Sequence, residues 1–145
     1  MAFCRYITCP LCKLFVARLT RNYRRLKEQG LEIIIVYESP AESIMKYYKD
    51  KEEPFRVIPD PDRELYNLYG VESSREGFIK GMTRFSDMIE IVKKGLASFK
   101  PEGDLATIPA DFLINENFVV EEAYYGEDIG DNIPIDDIKT FAGIK

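Results

Sequence analysis

Cys9-Pro10-Leu11-Cys12 follows a short apolar run, Phe3-Cys4-Arg5-Tyr6-Ile7, and opens the longest amphipathic stretch near the start of the chain. Two cysteines at this spacing serve either as half of a zinc site or as a dithiol/disulfide couple. Placement chooses between them. The β-branched and aromatic residues of 3–7 read as a strand, and Pro10 sits where a helix tolerates proline, at its first position. Cys9 is then the expected N-cap. Unpaired backbone N–H groups and the helix dipole favour a negative charge there, so the expected effect is a thiol pKa lowered from about 8.5 toward roughly 3.5–7.5. A fall to about 6.5 gains only about 3-fold in attack rate once the loss of intrinsic nucleophilicity is counted, so the larger benefit is Cys9 as a leaving group. Cys12 belongs to the stripe Cys12, Phe15, Val16, Leu19, Tyr23 and Leu26, whose helical spacing turns it inward. The expectation is an exposed, nucleophilic Cys9 and a shielded, resolving Cys12.

The 145 residues suit one domain, expected to span the whole chain, able to bury roughly 68% of the surface an unfolded chain exposes. Twenty basic against 25 acidic residues give a net charge of -5, the wrong sign for a protein that coats nucleic acid. Met1 leads straight into strand-like sequence, with no signal peptide and no transmembrane run, which reads as a soluble, cytoplasmic protein. Three cysteines in a reducing compartment read as a reactive pair plus one spare. The chain has no histidine, which excludes Ser-His-Asp and Cys-His mechanisms and imidazole metal sites. A zinc site on Cys4, Cys9 and Cys12 would need a fourth ligand from an acid or another chain.

Gly30 closes the first helix, and the near-continuous apolar run 31–37 reads as a strand covered on both faces, giving a parallel βαβ unit. Ser39-Pro40-Ala41-Glu42 has the form of a capping box for a second helix to about Lys51. The proline-bounded segment 54–59 reads as an edge strand, and Asp60-Pro61-Asp62 caps a short helix whose Leu65, Leu68 and Tyr69 face inward. Residues 71–82 read as a loop. Thr83 to Phe99 reads as a helix with Phe85, Met88, Ile89, Val92, Leu96 and Phe99 on one packed face. Thr107 to Ile114 and Phe118 to Tyr125 form an antiparallel hairpin around Asn115-Glu116-Asn117, with Pro109 at the strand entrance as a candidate cis peptide. A helix from about Ile135 to Ala142 ends the chain. Asp111, alternating with Ala110 and Phe112, reads either as a carboxylate beside the cysteines that carries protons for Cys12 or as a surface or capping acid. Arg5 reads either as a cation favouring the thiolate or as an arginine reaching solvent.

This order of elements is that of the thioredoxin fold, and the chain resembles the peroxiredoxin-like branch of the AhpC/TSA (redoxin) superfamily. The resemblance rests on Phe3-Cys4-Arg5-Tyr6 before the two cysteines, Glu38-Ser39-Pro40-Ala41-Glu42-Ser43, Pro54-Phe55 with Asp60-Pro61, Leu65-Tyr66 with Tyr69-Gly70-Val71, Pro109 to Ile114, and Ala123 to Gly126 with Asp128 to Asp131. It implies an α/β, three-layer sandwich, with a mixed central sheet flanked by helices and a C-terminal β-hairpin plus helix. Residues 54–82 are expected as an insert, and the leading segment of relatives is absent. It further implies a thiol oxidoreductase with Cys9 as the attacking and Cys12 as the resolving cysteine, and Pro109 in the place of the cis-proline that faces the dithiol. The partners implied are an external thiol reductant of thioredoxin or glutaredoxin type and a disulfide or peroxide substrate. No cofactor is implied. Typical members carry a threonine where this chain has Tyr6 and an arginine where it has Pro109, and those groups orient the peroxide. Relatives also show histidine at the position of Asn132. The alternative is a non-catalytic module of the same fold, its cysteines inert or holding a metal.

Overall fold

Pro10–Glu28 form the longest helix, α1, and its ends are set locally. Cys9 is the N-cap in extended conformation, Pro10 loses no hydrogen bond at the first position, and Arg25 and Lys27 suit the negative end of the helix dipole. Gly30, with φ +81°, turns the chain out of the helix in the left-handed region. The computed structural model describes residues 1–51, 54–97 and 100–144.

The strands are β1 (Ala2–Phe3), β2 (Ile34–Tyr37), β3 (Arg56–Pro59), β4 (Ala110–Ile114) and β5 (Val120–Tyr125). They form one five-stranded sheet in the order β3-β2-β1-β4-β5, parallel among the first three and antiparallel at β1/β4 and β4/β5. Helices α2 (Ala41–Tyr48), α3 (Glu64–Leu68), α4 (Arg75–Gly81), α5 (Phe85–Lys93) and α6 (Ile135–Phe141) complete the chain. One face carries the larger core, where Cys4, Ile35 and Leu113 of the sheet side meet Leu14 and Leu19 of α1, Ile44 of α2, Ile91 of α5 and Ile138 of α6. The other face carries Phe3, Val36, Ala110 and Phe112, closed by Tyr66 of α3 and Val71. Alternate residues of β1 and β4 thus serve opposite layers, as pleating dictates. This is the mixed-sheet α/β sandwich expected of a thioredoxin-like fold.

β1 is shorter than the expected strand 3–7. Cys4 N–H still donates to Val36 O at 2.9 Å and Glu38 N–H to Arg5 O at 2.8 Å, but Cys9 N–H then closes a turn on Tyr6 O at 2.9 Å. The turn brings Cys9 onto the start of α1. Ser39 does not cap α2. Its hydroxyl, fully buried, accepts from Ile7 N–H at 3.0 Å, while the N-cap of α2 is Pro40. Ser39→Ala would orphan that buried N–H, an expected cost of about 1–3 kcal/mol, read as a lower urea midpoint at unchanged m-value.

Asp60 does cap the start of α3, accepting from the N–H groups of Glu64, Leu65 and Tyr66 at 3.0, 2.9 and 3.2 Å. Tyr66 rather than Leu68 fills the core there, and Leu68 faces solvent. The expected loop 71–82 contains α4, started by the Ser74 hydroxyl, which accepts from Gly77 N–H at 3.0 Å. Its two glycines are what hid it, and both are packing positions. A Cβ on Gly77 would lie 2.5 Å from Ile108 Cδ1 and one on Gly81 2.2 Å from Ile129 Cγ1, so only glycine lets the helix approach this closely.

The expected helix 83–99 ends at Lys93, with Gly95 at φ +67° just beyond it, and Phe99 lies outside the described residues. The packed stripe is also corrected. Phe85, Ile89 and Val92 are exposed, whereas Ile91 and Asp87 are buried, because α5 is oriented by the salt bridges of Arg18 and Arg84 to Asp87 at 2.8 and 3.1 Å. Pro109 follows a trans peptide, since no cis peptide occurs among the described residues. Thr107 bridges to Ser73 and Ile108 N–H donates to Glu72 O at 2.9 Å, so the chain arrives at β4 already extended with no reversal to make. Among the described residues no helix is long and apolar enough to cross a membrane.

Candidate active site

The turn 6–9 and the first turn of α1 place Cys9 and Cys12 side by side, with Cys4 at the end of β1 beneath them. Cys12 N–H donates to Cys9 Sγ at 3.3 Å, which is the N-cap interaction expected from the sequence. Cys12 Sγ accepts from Arg5 N–H at 3.3 Å. All three cysteines are free thiols, and all are buried.

Arg5 is the residue that the sequence left open. It is only 4% exposed, and its Nη2 donates to Cys9 Sγ at 2.9 Å while Nη1 donates to Leu105 O at 2.7 Å. Its Nε, also buried, has no hydrogen-bond partner among the described residues. Burial opposes the guanidinium charge, but the thiols of Cys9 and Cys12 and the Tyr6 phenol outweigh it, and Arg5 is held above its ordinary value. A signal was present in the sequence. A charged residue inside an otherwise apolar strand, four residues before the first cysteine, either escapes to solvent or serves something buried.

The expected exposed thiolate is corrected. Cys9 is 0% exposed, and burial pushes its pKa well up, reinforced by Cys12 and opposed by Arg5 and by the Cys12 N–H. The helix N-terminus does act in the expected direction, but desolvation of a closed site is larger. Cys12, also by burial first, is pushed up to about 12. In this closed form both thiols are protonated at neutral pH. The expected correlate is an alkylation rate for Cys9 that climbs about tenfold per pH unit between pH 6 and 8. A rate already level below pH 7 would show instead an exposed, low-pKa thiolate.

Segment 100–107 is fastened beside the dithiol by several bonds. Lys100 N–H donates to Thr8 Oγ1 at 2.9 Å, Leu105 O takes the Arg5 bond, and Asp104 N–H donates to Glu38 Oε2 at 2.7 Å. Glu38, buried at the end of β2, also takes the Thr107 hydroxyl and the guanidinium of Arg63. Burial pushes the Glu38 carboxyl up, against Thr107, the Asp104 N–H and Arg63. Gly103, with φ +78°, permits the loop to lie against Glu38, because a Cβ there would come within 2.3 Å of Oε2. Of the Glu38, Arg63, Thr107 cluster the sequence pointed only to Glu38, within the stretch Glu38 to Ser43 and directly after the apolar run of β2.

Pro109 and Asp111 lie on β4. The β1/β4 register pairs Ala2 with Asp111 and Phe3 with Ala110, so its continuation sets Pro109 opposite Cys4 and makes Asp111 a diagonal neighbour of Cys4. Pro109 is buried and its carbonyl accepts from Gly126 N–H at 3.0 Å. Asp111 is 2% exposed. Its Oδ2 accepts from Ile133 N–H at 2.8 Å and from the Asn132 amide at 3.2 Å, while its Oδ1 has no hydrogen-bond partner among the described residues. Burial pushes the Asp111 carboxyl up to about 7, against those two donors and the Met1 amine. It faces the cavity of about 760 Å³ bounded by Phe15, Leu19, Ile33 and Ile138, and no hydrogen bond joins it to a thiol among the described residues. Among those residues no group of three His, Cys, Asp or Glu side chains is arranged to hold a metal ion.

The family model for the AhpC/TSA family matches residues 1–123, from β1 through most of β5. The chain belongs to the AhpC/TSA family. None of the curated proteins and none of the solved structures matches it. AhpC/TSA members are typically thiol peroxidases or oxidoreductases, and the two-cysteine step at the N-terminus of α1 lies inside the matched region. In this AhpC/TSA chain the cation beside the dithiol comes from β1's own continuation, at Arg5, while the hairpin strand supplies Pro109.

Proposed function

We propose that the protein is a thiol oxidoreductase in which Cys9 attacks and Cys12 resolves. The observation that carries this reading is the 2.9 Å bond from buried Arg5 to Cys9 Sγ, made next to a second thiol at a helix N-terminus. A buried guanidinium aimed at a thiol sulfur stabilises the thiolate and the departing sulfur, both of which the chemistry needs. With a disulfide substrate, the Cys9 thiolate bonds to one sulfur and expels the other as a thiolate. Cys12, giving up its proton, then bonds to Cys9 Sγ and expels the second. With a peroxide, Cys9 becomes a sulfenic acid, and Cys12 displaces water. Either route ends in a Cys9–Cys12 disulfide, which an external thiol reductant reopens by the same exchange in reverse.

Disulfide exchange is the favoured chemistry. Tyr6 and Pro109 stand where peroxide-orienting groups would be, and Arg5 is committed to Cys9 and to Leu105 O. Substrate reaches Cys9 when segment 100–107 lifts, breaking the Thr8 and Arg5 bonds. Pro109 flanks Cys4 without offering an N–H, and Asp111, whose pKa of about 7 leaves part of it as carboxylate at neutral pH, takes up in that form the proton that the resolving step releases. The rival reading, a binding module with inert thiols, has the burial of all three cysteines in its favour. Thiol titration decides between the two. Treatment of the reduced native protein with a model disulfide, then removal of that reagent, is expected to lower the count from three to one. Three thiols remaining would leave the inert module.

A further inference from the structure

Cys12 is the middle member of a row of three thiols. Its backbone N–H donates to Cys9 Sγ at 3.3 Å, and burial, helped by the neighbouring Cys4 thiol, pushes its pKa up. The Arg5 N–H, on the peptide that follows Cys4, reaches Cys12 Sγ at 3.3 Å, which fixes that sulfur over the end of β1. Cys4 and Cys9 are fully buried and Cys12 nearly so, within one apolar cluster. The donors are distributed unevenly. Arg5 Nη2 and the Cys12 N–H are both aimed at Cys9 Sγ.

That asymmetry has a consequence once the chain is oxidised. In a Cys9–Cys12 disulfide, the buried guanidinium and the Cys12 N–H would face a disulfide sulfur, a weaker acceptor than the free Cys9 sulfur. If the bridge moves to Cys4 and Cys12, Cys9 is freed in front of the two donors already directed at it. We propose that Cys4 is a third redox thiol, which takes Cys12 over from Cys9 and holds the oxidised state as a buried Cys4–Cys12 disulfide. The inference rests on the thiol oxidoreductase reading above. In the step, the Cys4 sulfur bonds to Cys12 Sγ and the Cys9–Cys12 bond breaks. Cys9 leaves with the electron pair toward the Arg5 guanidinium, and the proton given up by the Cys4 thiol ends on Cys9. The number of disulfides is unchanged, and the only oxidant is the disulfide or peroxide that formed the first bridge. Departure of the sulfur that the donors stabilise is the fast direction of such an exchange. The product is an oxidised chain whose attacking thiol is free again.

Tryptic cleavage after Arg5 and Lys13 separates the partners, since Cys4 lies in peptide 1–5 and both Cys9 and Cys12 lie in peptide 6–13. The reduced wild-type protein is oxidised with a small-molecule disulfide, quenched at intervals with N-ethylmaleimide, digested without reductant and analysed by mass spectrometry. Expected is an early peptide 6–13 lighter by two hydrogens, then its replacement by peptide 1–5 linked to 6–13 through Cys12, with maleimide on Cys9. At equilibrium the linked form is expected to be about half or more of the oxidised chains. An oxidised protein that stays mainly as the Cys9–Cys12 form, or that links Cys4 to Cys9, overturns the relay and leaves the oxidoreductase reading standing. Maleimide on all three cysteines at every time point overturns both.

Discussion

Cys9→Ser is expected to slow oxidation of the reduced protein by a model disulfide by about 10³-fold or more, because a serine hydroxyl is not ionised at neutral pH and cannot replace the thiolate. Cys12 compensates little, and Cys4 is fully buried. With Cys12 pushed up to about 12, its thiolate fraction at pH 7 is about 1 in 10⁵. Arg5→Gln separates the contribution of the guanidinium from that of the sulfur. A charge-assisted hydrogen bond contributes about 1.5–3 kcal/mol, equivalent to raising the Cys9 pKa by about one to two units. Because nucleophilicity recovers part of what ionisation loses, the net expected slowing at neutral pH is about 4- to 16-fold. Stopped-flow measurement of thiol loss from pH 6 to 9 checks both. Equal rates for wild type and Cys9→Ser would refute the assigned chemistry. An unchanged pH profile in Arg5→Gln would show that the 2.9 Å contact does not tune the thiol.

Asp111→Asn is expected to stabilise the protein at pH 8 and to leave it little changed at pH 4. Burial holds the Asp111 carboxyl at about 7, well above its ordinary value near 3.9. Between those values the folded chain keeps a proton that the unfolded chain gives up. Stability therefore falls as pH rises through that window, and it is lost in full only above about pH 7. Each pH unit of the window is worth about 1.4 kcal/mol, so the ionised, buried carboxylate costs up to about 4 kcal/mol at pH 8. Asparagine keeps an oxygen for the Ile133 N–H but carries no charge. Urea titrations at several pH values should show the wild-type stability declining from pH 4 to 8 and the variant nearly flat. A parallel decline in both would place the titrating group elsewhere, and a variant less stable at pH 8 would contradict the sign.

The proton-carrying role proposed for Asp111 rests on its position one diagonal step from Cys4 on the sheet, with one oxygen unpartnered among the described residues. The exposed face of Phe85, Ile89 and Val92 is the opposite case, a pattern without a buried counterpart. Helical spacing of apolar residues states that a face exists, and only the placement of neighbouring elements states whether anything covers it. Here the Arg18 and Arg84 bonds to Asp87 turn α5 so that Ile91 goes inward instead.

By itself the sequence determined the features that depend on nearest neighbours along the chain. Cys9 as N-cap with Pro10 after it, the glycine exit of α1 at Gly30, the parallel βαβ unit, the Asp60 cap and the hairpin at 115–117 are all local hydrogen-bonding and steric choices, and they suffice for the class of fold and for a dithiol at a strand-helix junction. Burial was the part that only the tertiary structure decided. Local reading made Cys9 an exposed thiolate, but Arg5 and segment 100–107, fastened through residues nearly a hundred positions away, close the site and raise the thiol. Ser39 serves Ile7 rather than its own helix, Gly77 and Gly81 are helix-packing glycines rather than loop markers, and Arg5 turns inward to Leu105 O. In each case the deciding partner is distant in sequence, and desolvation and close packing act on whatever the fold brings near.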